Sequence, residues 1–82
     1  MQILNMRKVK NPEFKTRAFF DLETKNFYIH DCRLVMGNKD RLVVMMPFKM
    51  VKNRFHSVIE IKDVDYLEAV GEKAVRIFEE IK

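Results

Sequence analysis

Phe27-Tyr-Ile-His-Asp-Cys-Arg-Leu-Val-Met36, then Gly37-Asn-Lys-Asp40, then Leu42-Val-Val-Met-Met46 before Pro47, is the stretch from which the architecture can be read. The first segment is rich in aromatic and branched residues, the composition of a β-strand. Alternation puts Tyr28, His30, Cys32, Leu34 and Met36 on one face, and Phe27, Ile29, Asp31, Arg33 and Val35 on the other. Gly37 to Asp40 is turn chemistry. Leu42 to Met46 is continuously apolar, which predicts a strand buried on both faces, either central in a sheet or at an interface. Pro47 has no N–H to give to a ladder and ends that strand.

Upstream, Gln2 to Val9 reads as a first strand with imperfect alternation, since Ile3 and Val9 share one parity and Leu4 and Met6 the other. A bulge accounts for such a break. Lys10-Asn-Pro-Glu13 reads as a turn. Lys15 to Glu23 predicts a second strand with Thr16, Ala18, Phe20 and Leu22 on one face and Lys15, Arg17, Phe19 and Asp21 on the other. Thr24 to Asn26 closes a hairpin. Downstream, a further strand is expected from about Arg54 to Ile61, with Phe55, Ser57, Ile59 and Ile61 on one side.

The period then changes. Leu67, Val70, Ala74, Ile77 and Ile81 recur at three- and four-residue spacings, one apolar stripe of an amphipathic helix. Asp65 with Glu68 fits an N-cap pair, and Asp63 is a rival cap. Strands followed by one helix give an α+β fold: a twisted antiparallel sheet of four to five strands with a C-terminal helix, in a single domain over residues 1–82.

At 82 residues the chain buries a modest core, yet 48% of it is hydrophobic. That excess points to a partner surface, most simply a second copy, although scattered exposed apolar residues are ordinary. Cys32 is the only cysteine and excludes an intrachain disulfide. With no signal-like apolar start and no membrane-length apolar run, the expectation is a cytoplasmic protein. Residues 1–62 carry 13 Lys/Arg and 6 Asp/Glu, net +7, whereas residues 63–82 carry 3 and 6, net −3. A basic surface therefore belongs to the first three-quarters of the chain.

Catalytic constellations are weak. His30 and Asp31 are neighbours on a strand and point apart. Ser57 is the only serine, and a triad would need it to converge with His30 and Asp21 or Asp40 from separate strands. His30 and Cys32 share a face and with His56 would make three zinc ligands, but Tyr28, Leu34 and Met36 make that face read as core. Asp31 and Arg33 share the other face and suit an in-strand ion pair. No glycine-rich phosphate loop is present. The expectation is a protein without catalysis, cofactor or metal.

Binding chemistry is easier to place. Phe48-Lys-Met-Val-Lys-Asn-Arg54 reads as a basic loop, with Lys49, Lys52 and Arg54 free of acidic neighbours in sequence. Lys39 and Arg41 lie in the preceding turn, and Arg7, Lys8 and Lys10 at the end of the first strand. Cations on loops suit phosphates. Phe48 and Phe55 bracket the loop at positions able to stack on unpaired bases; the alternative, stronger for Phe55, is that both fold into the core.

Together these residues resemble the stage V sporulation protein G (SpoVG) family over most of the chain. His30-Asp31, Arg33 and Gly37-Asn38 are similar to its H-D-x-R and G-N elements. Leu42-Val43, Met46-Pro47 and Lys49 are similar to its apolar strand ending M-P-x-K, and Arg7 and Arg17-Ala18 also fit. The resemblance implies a small cytoplasmic regulator that forms homodimers through its sheets, binds DNA and RNA, and is linked to sporulation and septum formation. Family DNA binding is associated with basic residues after M-P-x-K, which transfers to Lys49. The chain departs from the pattern at Phe48 and Met50, lacks the Pro-Asp-Gly turn, and has a shorter loop. The alternative function is a protein-interaction module in septum assembly, docking through Phe48, Met50 and Val51.

Overall fold

A computed structural model describes residues 1–10 and 15–81. The turn read at Asn11 to Glu13 lies outside them. Strands β1 (Gln2–Lys8), β2 (Thr16–Glu23), β3 (Tyr28–Met36) and β4 (Leu42–Met45) form a four-stranded antiparallel sheet in the order β1-β2-β3-β4. A short 3-10 turn (Asn38–Asp40) joins β3 to β4, strands β5 (Phe48–Val51) and β6 (Arg54–Ser57) pair as a separate hairpin, and helix α1 (Val64–Glu80) follows. The expected α+β fold is present.

The turns have local causes. The Thr24 hydroxyl accepts from the Phe27 N–H at 2.9 Å and the Thr24 N–H donates to the Phe27 carbonyl at 2.8 Å, closing the β2–β3 hairpin. Gly37 N–H donates to the Arg41 carbonyl at 2.7 Å across the β3–β4 turn. After Met46, Pro47 offers no ladder donor, and the chain leaves the sheet. The strand expected from Arg54 to Ile61 is shorter than its alternation suggested: it ends at Ser57 and pairs with β5 rather than joining the sheet.

Ile3, Ala18, Phe20, Leu22, Ile29, Cys32 and Leu34 form the buried face of the sheet, and Val70 and Ala74 of α1 pack on it. The helix touches both edge strands, β1 and β4, so it spans the width of the sheet. Asp63 is its N-cap, accepting from the Tyr66 N–H at 3.1 Å, which settles the choice between the two candidate caps. Glu79 and Glu80 end the helix without a cation of its own, against the direction of its dipole. Lys8 supplies the charge from β1, donating to the Ile81 carbonyl and lying 4.4 Å over the Phe78 ring.

The sheet register slips at three places, one of them between Thr16 and Ala18 of β2, and one side chain accounts for the other two. In β1 the register slips between Leu4 and Arg7, with Asn5 at φ 55°. In β3 it slips between Ile29 and Cys32, with Asp31 at φ 61°. Asp21 of β2, almost fully buried, lies between these bulges. Its carboxylate accepts from Asn5 Nδ2 at 2.9 Å and from the Asp31 N–H at 3.1 Å, and His30 Nδ1 lies 3.4 Å away. The Arg7 guanidinium is 3.7 Å from it.

The β3 bulge turns Ile29 into the core beside Cys32 and leaves His30 exposed. His30 and Cys32 therefore do not share a face, contrary to the alternation reading. Asp31 pairs with Arg7 at 3.0 Å rather than with Arg33.

The hydrogen bond from Asn5 is the largest influence on Asp21; with those from Asp31 and His30 and the charge of Arg7, it outweighs burial and lowers the carboxyl from 3.8 to about 2. Because the folded pKa lies below the unfolded one, the unfolded chain binds more protons in this interval. The stability that Asp21 contributes is full above about pH 4 and is lost as the pH falls toward 2. Asp21→Asn should cost about 2–3 kcal/mol at neutral pH and remove this acid limb, which urea denaturation from pH 6 to pH 2 would measure. Gly71 of α1 faces Val44, and an added Cβ would meet its methyl at 3.8 Å, an ordinary contact. Gly71→Ala should therefore raise stability by about 1 kcal/mol; no gain in the urea midpoint would mean the helix must move to admit a methyl.

Candidate nucleic-acid interface

The segment read as a basic loop is a hairpin. Lys52 and Asn53 form its two-residue turn with φ 50° and 64°, the left-handed pair that matches the twist of adjoining strands. The Val58 N–H donates to the Pro47 carbonyl at 3.2 Å and ties its base.

Lys49 pairs with His56 and Val51 with Arg54. Directly paired residues share a face, so Lys49, Val51, Arg54 and His56 point one way, with Lys52 at the tip. Phe48, Met50, Phe55 and Ser57 point the other way. Lys49, Lys52 and Arg54 are all exposed, and among the described residues no carboxylate lies within ion-pair distance of any of them. The structure thus gathers these three predicted cations onto one ribbon.

Lys39 and Arg41 are not part of that cluster. They precede β4, whereas the hairpin comes after it, so the length of that strand, about 13 Å, lies between them along the chain. Both are exposed. Arg41 lines a groove of about 1150 Å³ between β4 and α1 that also contains Glu68, Glu72 and Glu79. That acidic wall makes it a poorer phosphate site than the hairpin. Arg7 and Lys8 are committed elsewhere, to Asp21 and Asp31 and to the end of α1.

The hairpin's apolar side meets the sheet face opposite the helix. Phe19, Arg33 and Met45 are cross-strand neighbours on that face. The Arg33 guanidinium lies 5.0 Å from the Phe19 ring centre and 4.7 Å from that of Phe48, held between the two. Phe48 in turn contacts Phe55, with ring centres 4.7 Å apart and a 35° tilt. Phe48 is half-buried, but Phe55 is 51% exposed, so the expectation that Phe55 folds into the core does not hold. Its ring lines a shallow groove with Val35, Val43 and Met45 of the sheet's outer face, which leaves it partly in solvent.

Candidate chemistry is sparse elsewhere. Asp21 and His30 do approach, but Ser57 is in the β5–β6 ladder opposite Phe48. Burial, the largest cause, with the nearby charges of Asp21 and Asp31, pushes the Cys32 thiol up to about 11, which keeps it protonated near neutrality. Among the described residues no group of three His, Cys, Asp or Glu side chains is arranged to hold a metal ion. No helix among them is long and apolar enough to cross a membrane.

No family model, curated protein or solved structure matches the chain. Alternation alone offered one signal for the Arg33 cluster: Phe19 and Arg33 both fall on the outward parity of their strands. Their register and the return of Phe48 onto that face depend on tertiary structure.

Proposed function

We propose that this chain is a small homodimeric, cytoplasmic nucleic-acid-binding regulator of the kind its sequence resembles, the SpoVG family, with the β5–β6 hairpin as its phosphate-binding element. The observation that carries this reading is the set of three exposed cations, Lys49, Lys52 and Arg54, on one ribbon without a described carboxylate partner. Cations left unpaired on a projecting element gain most by replacing the counterions of a phosphate backbone. The role in sporulation and septum formation rests on the sequence resemblance.

Strand β4 supports the dimer. It is an edge strand, yet Leu42-Val-Val-Met45 carries no charge and no proline to discourage pairing. Pairing β4 with its two-fold mate continues the sheet across both copies, and an axis perpendicular to the sheet keeps both hairpins on one side. A second reading, a protein-docking module, draws support from the exposed Met50, Val51, Phe55 and Val58. Salt separates the two, because apolar docking lacks the steep loss of affinity that counterion release imposes.

Changing Lys49, Lys52 and Arg54 together to alanine should weaken binding to mixed-sequence DNA and RNA alike. The log–log salt slope should become shallower by about 1 for each cation that meets a phosphate. Unchanged affinity at low salt would remove the hairpin from the interface. In sedimentation the protein should run at twice its 9.9 kDa chain mass. Val43→Lys, at a half-exposed position on β4, should shift it toward monomer with its circular dichroism intact; a wild-type monomer at all concentrations would end the dimer reading.

A further inference from the structure

We infer that the aromatic cluster on the open sheet face is a base-stacking platform, so that the preferred nucleic acid is single-stranded. This inference rests on the nucleic-acid reading above and narrows it to one substrate class.

Phe19, Arg33, Phe48 and Phe55 form a chain of contacts from the sheet to the hairpin, each 4.7 to 5.0 Å from the next. The last ring, Phe55, is 51% exposed. Solvent-facing rings are costly on a small monomer and useful where a base can lie against them. Arg33 adds a second observation. Among the described residues no carboxylate lies within ion-pair distance of it, and its guanidinium carbon lies within 5.0 Å of two ring centres. Its N–H donors lack a described anionic partner, and a cation beside aromatic rings is suited to a phosphate or a base edge.

The hairpin joins this platform to the phosphate-binding cations. Arg54 and Phe55 are adjacent on β6 and point to opposite faces of a two-stranded ribbon. A flexible strand crossing the free edge of β6 can set a base on Phe55 while its backbone meets Arg54 and Lys49. A duplex cannot do so, because its bases are stacked inside and it presents mainly phosphates to such a ribbon. Self-association through this face is disfavoured, because a two-fold contact would bring the Arg33 of one copy toward the Arg33 of the other without a carboxylate between them.

The test compares a labelled mixed-sequence DNA 20-mer as a single strand and as a duplex, against wild-type protein, Phe55→Leu and Phe55→Trp. Wild type should bind the single strand more tightly. Phe55→Leu keeps an apolar side chain but loses the flat ring, and should weaken single-strand binding about 5- to 100-fold with duplex binding unchanged. The chain contains no tryptophan, so Phe55→Trp places a unique fluorophore at the platform; it should retain affinity, and the single strand should quench its emission. Equal affinity for both forms with Phe55→Leu silent, or equal weakening of both, or an unquenched Trp in a saturated complex, would overturn the platform while leaving the basic hairpin standing. Failure of wild type to bind either form at low salt would overturn both readings.

Discussion

The carboxylate of Asp21 holds the sheet in its observed register. It is an anion almost removed from water, and such a group is tolerable only when donors surround it. Asn5 and the Asp31 backbone bond to it from the strands on either side, with His30 and Arg7 close by. The bulges in β1 and β3 therefore flank a shared partner in β2. Each inserts one residue and reverses the parity of the rest of its strand. The β3 bulge lets Ile29, Cys32 and Leu34 all reach the core, and leaves Arg33 facing outward beside Phe19.

The two faces of the sheet are set by that register. The inner face is apolar and is closed by the stripe of α1, with Val70 and Ala74 fully buried. The outer face carries Arg33 among aromatic and aliphatic side chains, and the β5–β6 hairpin approaches it through Phe48 and Phe55. Pro47 is the second constraint. By ending the ladder after β4, it sends the next two strands away as an independent ribbon. That ribbon can put cations on one side and rings on the other because neither side is needed for the core.

Much of the secondary structure was legible because its signals are local. The apolar period of α1, the alternation in β2, the turn residues around Thr24 and Gly37, and the stop at Pro47 each depend on a few neighbours. Lys49, Lys52 and Arg54 were legible as a basic group for the same reason. The faces of β3 were not, since strict alternation assumes no inserted residue, and the residue that stabilises the insertion is ten positions away at Asp21. Leu42 to Met46 read as a strand either central in a sheet or at an interface; it is not central but lies at the sheet edge, because composition records apolar character and not how many neighbours a strand has. Phe55 read as core because its strand was expected to join the sheet, which the separate hairpin prevents.

The division of charge along the chain becomes a division in space. The helix, on one side of the sheet, belongs to a segment of net −3, whereas the rest of the chain carries net +7. The molecule is thus an electric dipole as well as a cation. In the field of any polyanion it experiences a torque that turns α1 away and brings the open sheet face and hairpin forward before contact. Fewer encounters are then wasted on the wrong face, and the gain fades as ions shorten the reach of that field to about 8 Å at physiological salt.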